Sequence, residues 1–280
     1  MLTARPSKRR NSSISINFIT HTQHFITTVT DRRFDRTRRL IGDEQMERLA
    51  ASSAIVFGIG GVGGWTAECL ARTGIGRLTI VDPDDVAQTN INRQVMALGS
   101  TTGCPKTDIL AERLLDINPG LDLRLMRRRY TAEHAADFDI AGHDITIDAI
   151  DSLADKAALI LHATSTPSTR LLSSMGAALK ADPTKVSVAE FWQVKGCPLA
   201  AALRRRFKRD GMTPRRKFRC VYSPELLTNA GDEPDPDGTM TYGKRAINGA
   251  LCHITAIFGF TLAGLAIDTL LKRQPAVESK

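Results

Sequence analysis

Short apolar runs alternate along this chain with stretches of helical periodicity. Ala54–Phe57 and Leu78–Val81 read as strands, and the segment between them opens on glycines and continues as an amphipathic helix. Pro105–Ile117 reads as a helix, with Pro105 near its first turn and Ile109, Leu110, Leu114 and Ile117 on one face; Asn118, Pro119 and Gly120 stop it. Leu121–Met126, Asp144–Ala149, Arg170–Ser174, Lys185–Ala189 and Phe218–Tyr222 have the composition of further strands. Ala154–Ala163 and Leu199–Arg209 have that of helices. The alternation predicts an α/β protein with a doubly wound, Rossmann-like sheet whose first half is parallel.

The flanks read differently. Residues 1–30 are rich in Ser, Thr, Arg and Asn, carry Arg5, Lys8, Arg9 and Arg10, and hold no acid. They are expected to be a disordered or targeting extension, or the product of a start codon assigned too far upstream. Residues 31–280 are expected to form one domain, with a nucleotide-binding half at about 31–166 and a substrate and dimerisation half at about 167–280. A basic arm leads there into a short helix that starts after Gly42 and carries Met46 and Leu49. Residues 223–246, rich in Pro, Gly and Asp, read as a long loop. The apolar run Ile254–Ile267 is shorter than the ~20 residues of a membrane span. It is expected to be a buried or dimer-interface helix, with membrane association the less favoured alternative.

The glycine turn carries the first chemical signal. Gly58 lets the chain turn sharply after the strand, Gly60 leaves the backbone bare for a phosphate, and Gly63 lets the helix pack close. The helix N-terminus presents free N–H groups to an anion. Asp82, at the end of the second strand, is placed to accept a hydrogen bond from a ribose hydroxyl. These parts serve NAD or ATP equally.

The residues after Asp82 separate the two. A triphosphate approached by a carboxylate needs more cationic charge than a dinucleotide pyrophosphate does, and Asn90, Arg93 and Lys106 come at short range. Asp151, expected at the carboxyl end of a strand, is positioned to ligate Mg²⁺ beside that triphosphate.

Charge and cysteine usage narrow the picture. The formal charge is +8, with a basic concentration at Arg204, Arg205, Arg206, Lys208 and Arg209 that continues through Arg215, Arg216, Lys217 and Arg219. Such a stretch suits RNA phosphates. Five scattered cysteines without a CxxC pair argue against a disulfide framework and a four-cysteine zinc site, and favour a reducing cytoplasm. Cys220, next to Arg219, is the candidate for a thiol activated by neighbouring cations, but a small cysteine on a strand is more often a packing residue, and packing is the favoured reading.

The ordered motifs GIGGVGG, VDPDDVAQTNINRQ, CPK and DAID resemble those of the ubiquitin-activating-enzyme-like adenylating family, which includes ThiF, MoeB and HesA. That family activates a carboxylate by attack on the α-phosphate of ATP. The resemblance implies ATP with Mg²⁺, and a monovalent cation as a further possibility. It implies contacts to the nucleotide from Gly58, Gly60, Gly61, Gly63, Asp82, Asp84, Asn90, Arg93, Lys106 and Asp151. The arm RRFDRTRRL resembles the family's arginine motif, by which Arg36 would reach the ATP of a second subunit in a homodimer. Arg36, Arg93, Lys106 and Asp151 are the implied catalytic set.

SSMGAALKADPTKV, CPLAAALRRRFKRDG, RCVYSPE and INGALCHITAIFGF are similar to the branch formed by the tRNA threonylcarbamoyladenosine dehydratases. That branch implies tRNA as substrate and a sulfur-transfer protein as a possible partner. The alternatives are activation of the Gly-Gly end of a ubiquitin-like sulfur carrier, an NAD-dependent oxidoreductase and a nucleotide-sensing scaffold. Ala178, where relatives tend to have glycine, and Pro83 between the two acids depart from the pattern.

Overall fold

A computed structural model describes residues 31–230 and 248–272. The expected extension at 1–30 and the 231–246 part of the expected loop lie outside the described residues. The arm is helical, against expectation: Asp35–Ile41 forms α1, and Gly42 at φ +84° separates it from α2, Asp43–Ala50. The freedom of glycine at that one position lets two short helices meet at an angle instead of merging.

The elements then follow in the order β1 (Ser53–Phe57), α3 (Gly63–Thr73), β2 (Arg77–Val81), α4 (Lys106–Ile117), β3 (Asp122–Met126), β4 (Ile145–Asp148) and α5 (Leu153–Ser165). After these come β5 (Arg170–Ser174), β6 (Ser187–Glu190), α6 (Pro198–Arg209), β7 (Arg219–Tyr222) and α7 (Cys252–Leu271). Strands from both halves of the chain join in one seven-stranded sheet of order β3-β2-β1-β4-β5-β7-β6. All neighbours are parallel except the edge strand β6, which runs antiparallel to β7.

Both faces of the sheet are covered, which explains the near-continuous apolar character of its central strands. In β1, Ala54 and Val56 enter a core with α3, α4 and α7. Ile55 and Phe57 point the other way, into a core with α5 and α6. Strand order reverses between β1 and β4, and the crevice beyond their carboxyl ends is where such sheets hold ligands.

The expected apolar segment near the C-terminus is a longer helix than its apolar run indicated. α7 spans 20 residues, and by length and composition it is long and apolar enough to cross a membrane. Half of its most apolar window is buried, however. Ile254, Phe258, Leu262, Ala263, Ala266 and Leu270 pack into the core shared with α3. Thr66 donates to the Gly259 carbonyl at 3.1 Å, and a Cβ at Gly259 would stand 2.6 Å from the Val62 carbonyl oxygen. α7 is thus a core helix pressed onto the start of α3.

Candidate active site

The turn from β1 into α3 is built around close backbone approach. A Cβ on Gly63 would lie 1.8 Å from the Gly58 carbonyl oxygen, and one on Gly58, itself at φ +79°, would lie 2.9 Å from that of Ala149. Gly61 is hemmed by Arg93 and Thr255. Gly60 differs: its nearest neighbour is the Gln94 side chain at 3.6 Å, so the fold itself leaves room there. That is the pattern of a turn in which one glycine is kept bare for something outside the protein.

Asp82 anchors this turn. One carboxylate oxygen accepts the Ile59 N–H at 2.9 Å and the other accepts the Asp84 N–H at 3.0 Å. Burial pushes its carboxyl above the ordinary aspartate range, against the pull of Lys106. Lys106 is the first residue of α4, is buried, and lies 2.8 Å from Asp84 and 3.7 Å from Asp82. Pro83 is exposed, and the two acids flanking it both reach the lysine. The unusual residue therefore leaves the acid–lysine cluster intact.

Arg93 lies within electrostatic reach of Asp151. Burial lowers the guanidinium from its usual value and the Asp151 charge opposes that shift. The Arg93 side chain also donates to the Thr89 carbonyl at 3.0 Å and to Asn92 at 2.8 Å. Asn90 is a turn-former, accepting the Ala87 N–H at 3.2 Å through its side chain. Arg36, exposed on α1, makes no hydrogen bond or ion pair among the described residues. Asp151 stands three residues beyond the end of β4 and is exposed, in the loop rather than on the strand end.

The residue that ends β4 is Asp148, fully buried. It pairs with Lys156 at 2.8 Å and accepts the Ser173 hydroxyl at 2.7 Å. Neither Lys156 nor Gln94 stands out in the sequence as a site residue. Gln94 is buried beside Gly60, and its side-chain oxygen has no hydrogen-bond partner among the described residues. The only signals for them are a single lysine inside an apolar helix and a glutamine directly after Arg93.

The remaining expectations divide. Cys220 is fully buried on β7, next to the edge strand, and burial pushes its thiol well above the ordinary range, which fits the packing reading and not the activated thiol. Strand alternation sends Arg219 away from it, to Thr269 at 2.7 Å. In the basic stretch, Arg216 donates to the carbonyls of Thr164, Ala163, Thr166 and Thr169 at the end of α5, and is a helix cap rather than a free cation. Arg204 lies over the Phe191 ring and donates to its carbonyl at 3.1 Å. Arg206 and Arg209 share Asp210, and Arg205 and Lys208 are exposed. Next to Ala178, Leu179 adopts φ +58°, held by backbone bonds to Gly249 and Leu227. Ala178 itself is not among the positive-φ residues, so its backbone does not require the glycine that relatives tend to have there.

The crevice thus combines a buried acid–lysine cluster, a partly buried arginine and a glycine turn, and comparison with known proteins gives it a family. The ThiF family profile matches residues 34–280. The chain belongs to the ThiF family. Among its ThiF relatives, tRNA threonylcarbamoyladenosine dehydratase of Escherichia coli is 36% identical over 258 residues, covering 86% of this chain and 94% of that protein. The crystal structure of E. coli tRNA N6-threonylcarbamoyladenosine dehydratase, TcdA, in complex with ATP superposes with a TM-score of 0.75. It is 37% identical, over 85% of this chain and 93% of that one. The E. coli sulfur carrier protein ThiS adenylyltransferase is 31% identical over 133 residues, 46% of this chain. The similarity to the dehydratase thus runs through both halves of this ThiF protein.

Proposed function

We propose that this protein is an ATP-dependent tRNA threonylcarbamoyladenosine dehydratase. The observation that carries this reading is the match, over 85% of this chain, to a dehydratase solved with ATP, combined with the acid–lysine cluster at the crevice. The substrate is the modified adenosine beside the tRNA anticodon, with a free threonyl carboxylate. That carboxylate attacks the α-phosphate of ATP and pyrophosphate leaves. A nucleophile of the carbamoyl group then attacks the activated carbonyl, closes a ring and expels AMP, which carries away the carboxylate oxygen. The net change is loss of one water.

The chain's own residues supply charge and alignment. Asp82 fixes the Ile59 N–H and offers its carboxylate to the ribose, the glycine turn admits the phosphates, and Lys106 and Arg93 neutralise charge that grows on them. Asp151 is the carboxylate suited to Mg²⁺, since Asp148 is committed to Lys156 and Ser173. Bound there, Mg²⁺ would offset phosphate charge, with Asp151 as its protein ligand. No enzyme nucleophile is required, in keeping with the burial of Cys220.

The reading extends to a homodimer in which Arg36 completes the partner's site, supported by its exposure on α1 and by exposed Ile91, Leu251 and Phe260. Exposed Arg205 and Lys208 are its tRNA contacts. The reaction balances without a sulfur-transfer protein. Unpaired cysteines suit a cytoplasmic setting. The test is nucleoside mass analysis of tRNA bearing threonylcarbamoyladenosine after incubation with the protein, ATP and Mg²⁺. An ATP-dependent loss of one water is expected, and its absence despite ATP binding would overturn the reading.

A further inference from the structure

Lys156 is the fourth residue of α5 and is fully buried. Its ammonium donates to the carboxylate of Asp148 at 2.8 Å and to the carbonyl of Ile150 at 3.1 Å. The other Asp148 oxygen accepts the Ile150 N–H at 3.1 Å. Both polar groups of the Ile150 backbone are therefore held by one ion pair, and Asp151 is the next residue.

Stability alone is a poor account of this arrangement. Removing two charges from water is expensive, and an apolar pair of similar size is often as stable or more so. A cation in the first turn of a helix also opposes the helix dipole. Lys156 meets both penalties. What it gains is a fixed course for residues 148–151.

That loop lies directly against the phosphate-binding turn. The Ala149 N–H donates to the Phe57 carbonyl at 2.9 Å. A Cβ on Gly58 would touch the Ala149 carbonyl, and one on Gly63 would come within 3.2 Å of the Ala149 Cβ. The two loops that close on the triphosphate are thus packed backbone to backbone, and Lys156 holds one of them from behind.

We propose that Lys156 is a positioning residue for ATP: through Ile150 it sets the place of Asp151, and so governs binding of the β- and γ-phosphates with their Mg²⁺. This rests on the reading of the site as an ATP site. The consequence is selective. AMP lacks those phosphates, and its binding through Asp82 and the glycine turn is left alone.

The test compares ATP–Mg²⁺ and AMP affinities by calorimetry for the full chain, Lys156→Met, Lys156→Arg and the double variant Asp148→Asn with Lys156→Met. The double variant carries no uncompensated buried charge, which keeps the comparison free of a simple folding failure. The expected result is a loss of about tenfold or more in ATP–Mg²⁺ affinity in Lys156→Met and in the double variant. AMP affinity stays within about twofold of the original, and Lys156→Arg recovers part of the loss. Original ATP affinity in the double variant, or a parallel loss of ATP and AMP, overturns the proposal. Failure of the unaltered chain to bind ATP would instead count against the reading of the site.

Discussion

Lys106 holds Asp84 at 2.8 Å with Asp82 only 3.7 Å away, so its ammonium is already paired inside the protein. An acid pair offsets both the burial of the ammonium and its unfavourable place at the start of α4. On the proposed reading, ATP binding exchanges these partners for phosphate oxygens. Lys106→Met is expected to lower kcat/KM for ATP by about 10²–10³-fold, the scale of one lost donor to developing charge. Pyrophosphate release measured against ATP concentration checks this, and a change below about tenfold would exclude Lys106 from the transition state.

Two glycines of the same turn are expected to fail in different ways. Gly63→Ala places a methyl 1.8 Å from a carbonyl oxygen and is expected to prevent stable folding. Gly60→Ala meets nothing closer than 3.6 Å, so its melting temperature should stay near the original while ATP ceases to raise it. Thermal unfolding with and without ATP reads both outcomes.

The basic segment separates into anchors and contacts. Arg216→Ala strips several donors from the end of α5 and is expected to cost about 2–3 kcal/mol of stability, seen in denaturant unfolding. Arg205→Ala with Lys208→Ala should leave stability unchanged, weaken tRNA retention, and reduce the slope of log affinity against log salt by about 2. Equal tRNA affinity at moderate salt would remove α6 from the interface.

Acid sensitivity is expected from His143. Its Nδ1 faces the Asp139 carbonyl at 2.9 Å, so it carries the proton there, and Nε2 meets the Thr79 hydroxyl at 2.8 Å. Burial pushes the imidazole below its ordinary value. The unfolded chain then takes up a proton first as pH falls, so stability is intact above about pH 6.5 and declines below it. Denaturant unfolding between about pH 7.5 and about pH 5 should show that decline, and it should be smaller in His143→Gln.

The sequence made the sheet and the nucleotide turn legible because both rest on local signals. β1 is apolar along its whole length since helices cover both of its faces, and Gly58, Gly60 and Gly63 announce a turn whatever surrounds them. The Asp82–Lys106 neighbourhood was legible as a set but not as a prearranged cluster, because its pairing depends on the distant start of α4. Long-range partners defeated the rest. Arg216 looked like its neighbours until the carbonyl ends of α5 were brought to it. Asp148 and Lys156 were visible as charges in apolar company, a pattern that marks burial but not the partner.

The direction of α6 sets a length scale. Leu199 at its start is close to Gly176, beyond the carboxyl end of β5 and on the crevice side. Its basic end leads into β7 at the opposite margin of the sheet, about 18 Å along a helix of 12 residues. A ligand that meets both the crevice and Arg205 with Lys208 must therefore be as long as the domain is deep. A free nucleoside would engage the chemistry and forgo the grip, whereas a folded anticodon arm has the reach for both. On the proposed reading, the depth of the domain would select substrates by length as well as by chemistry.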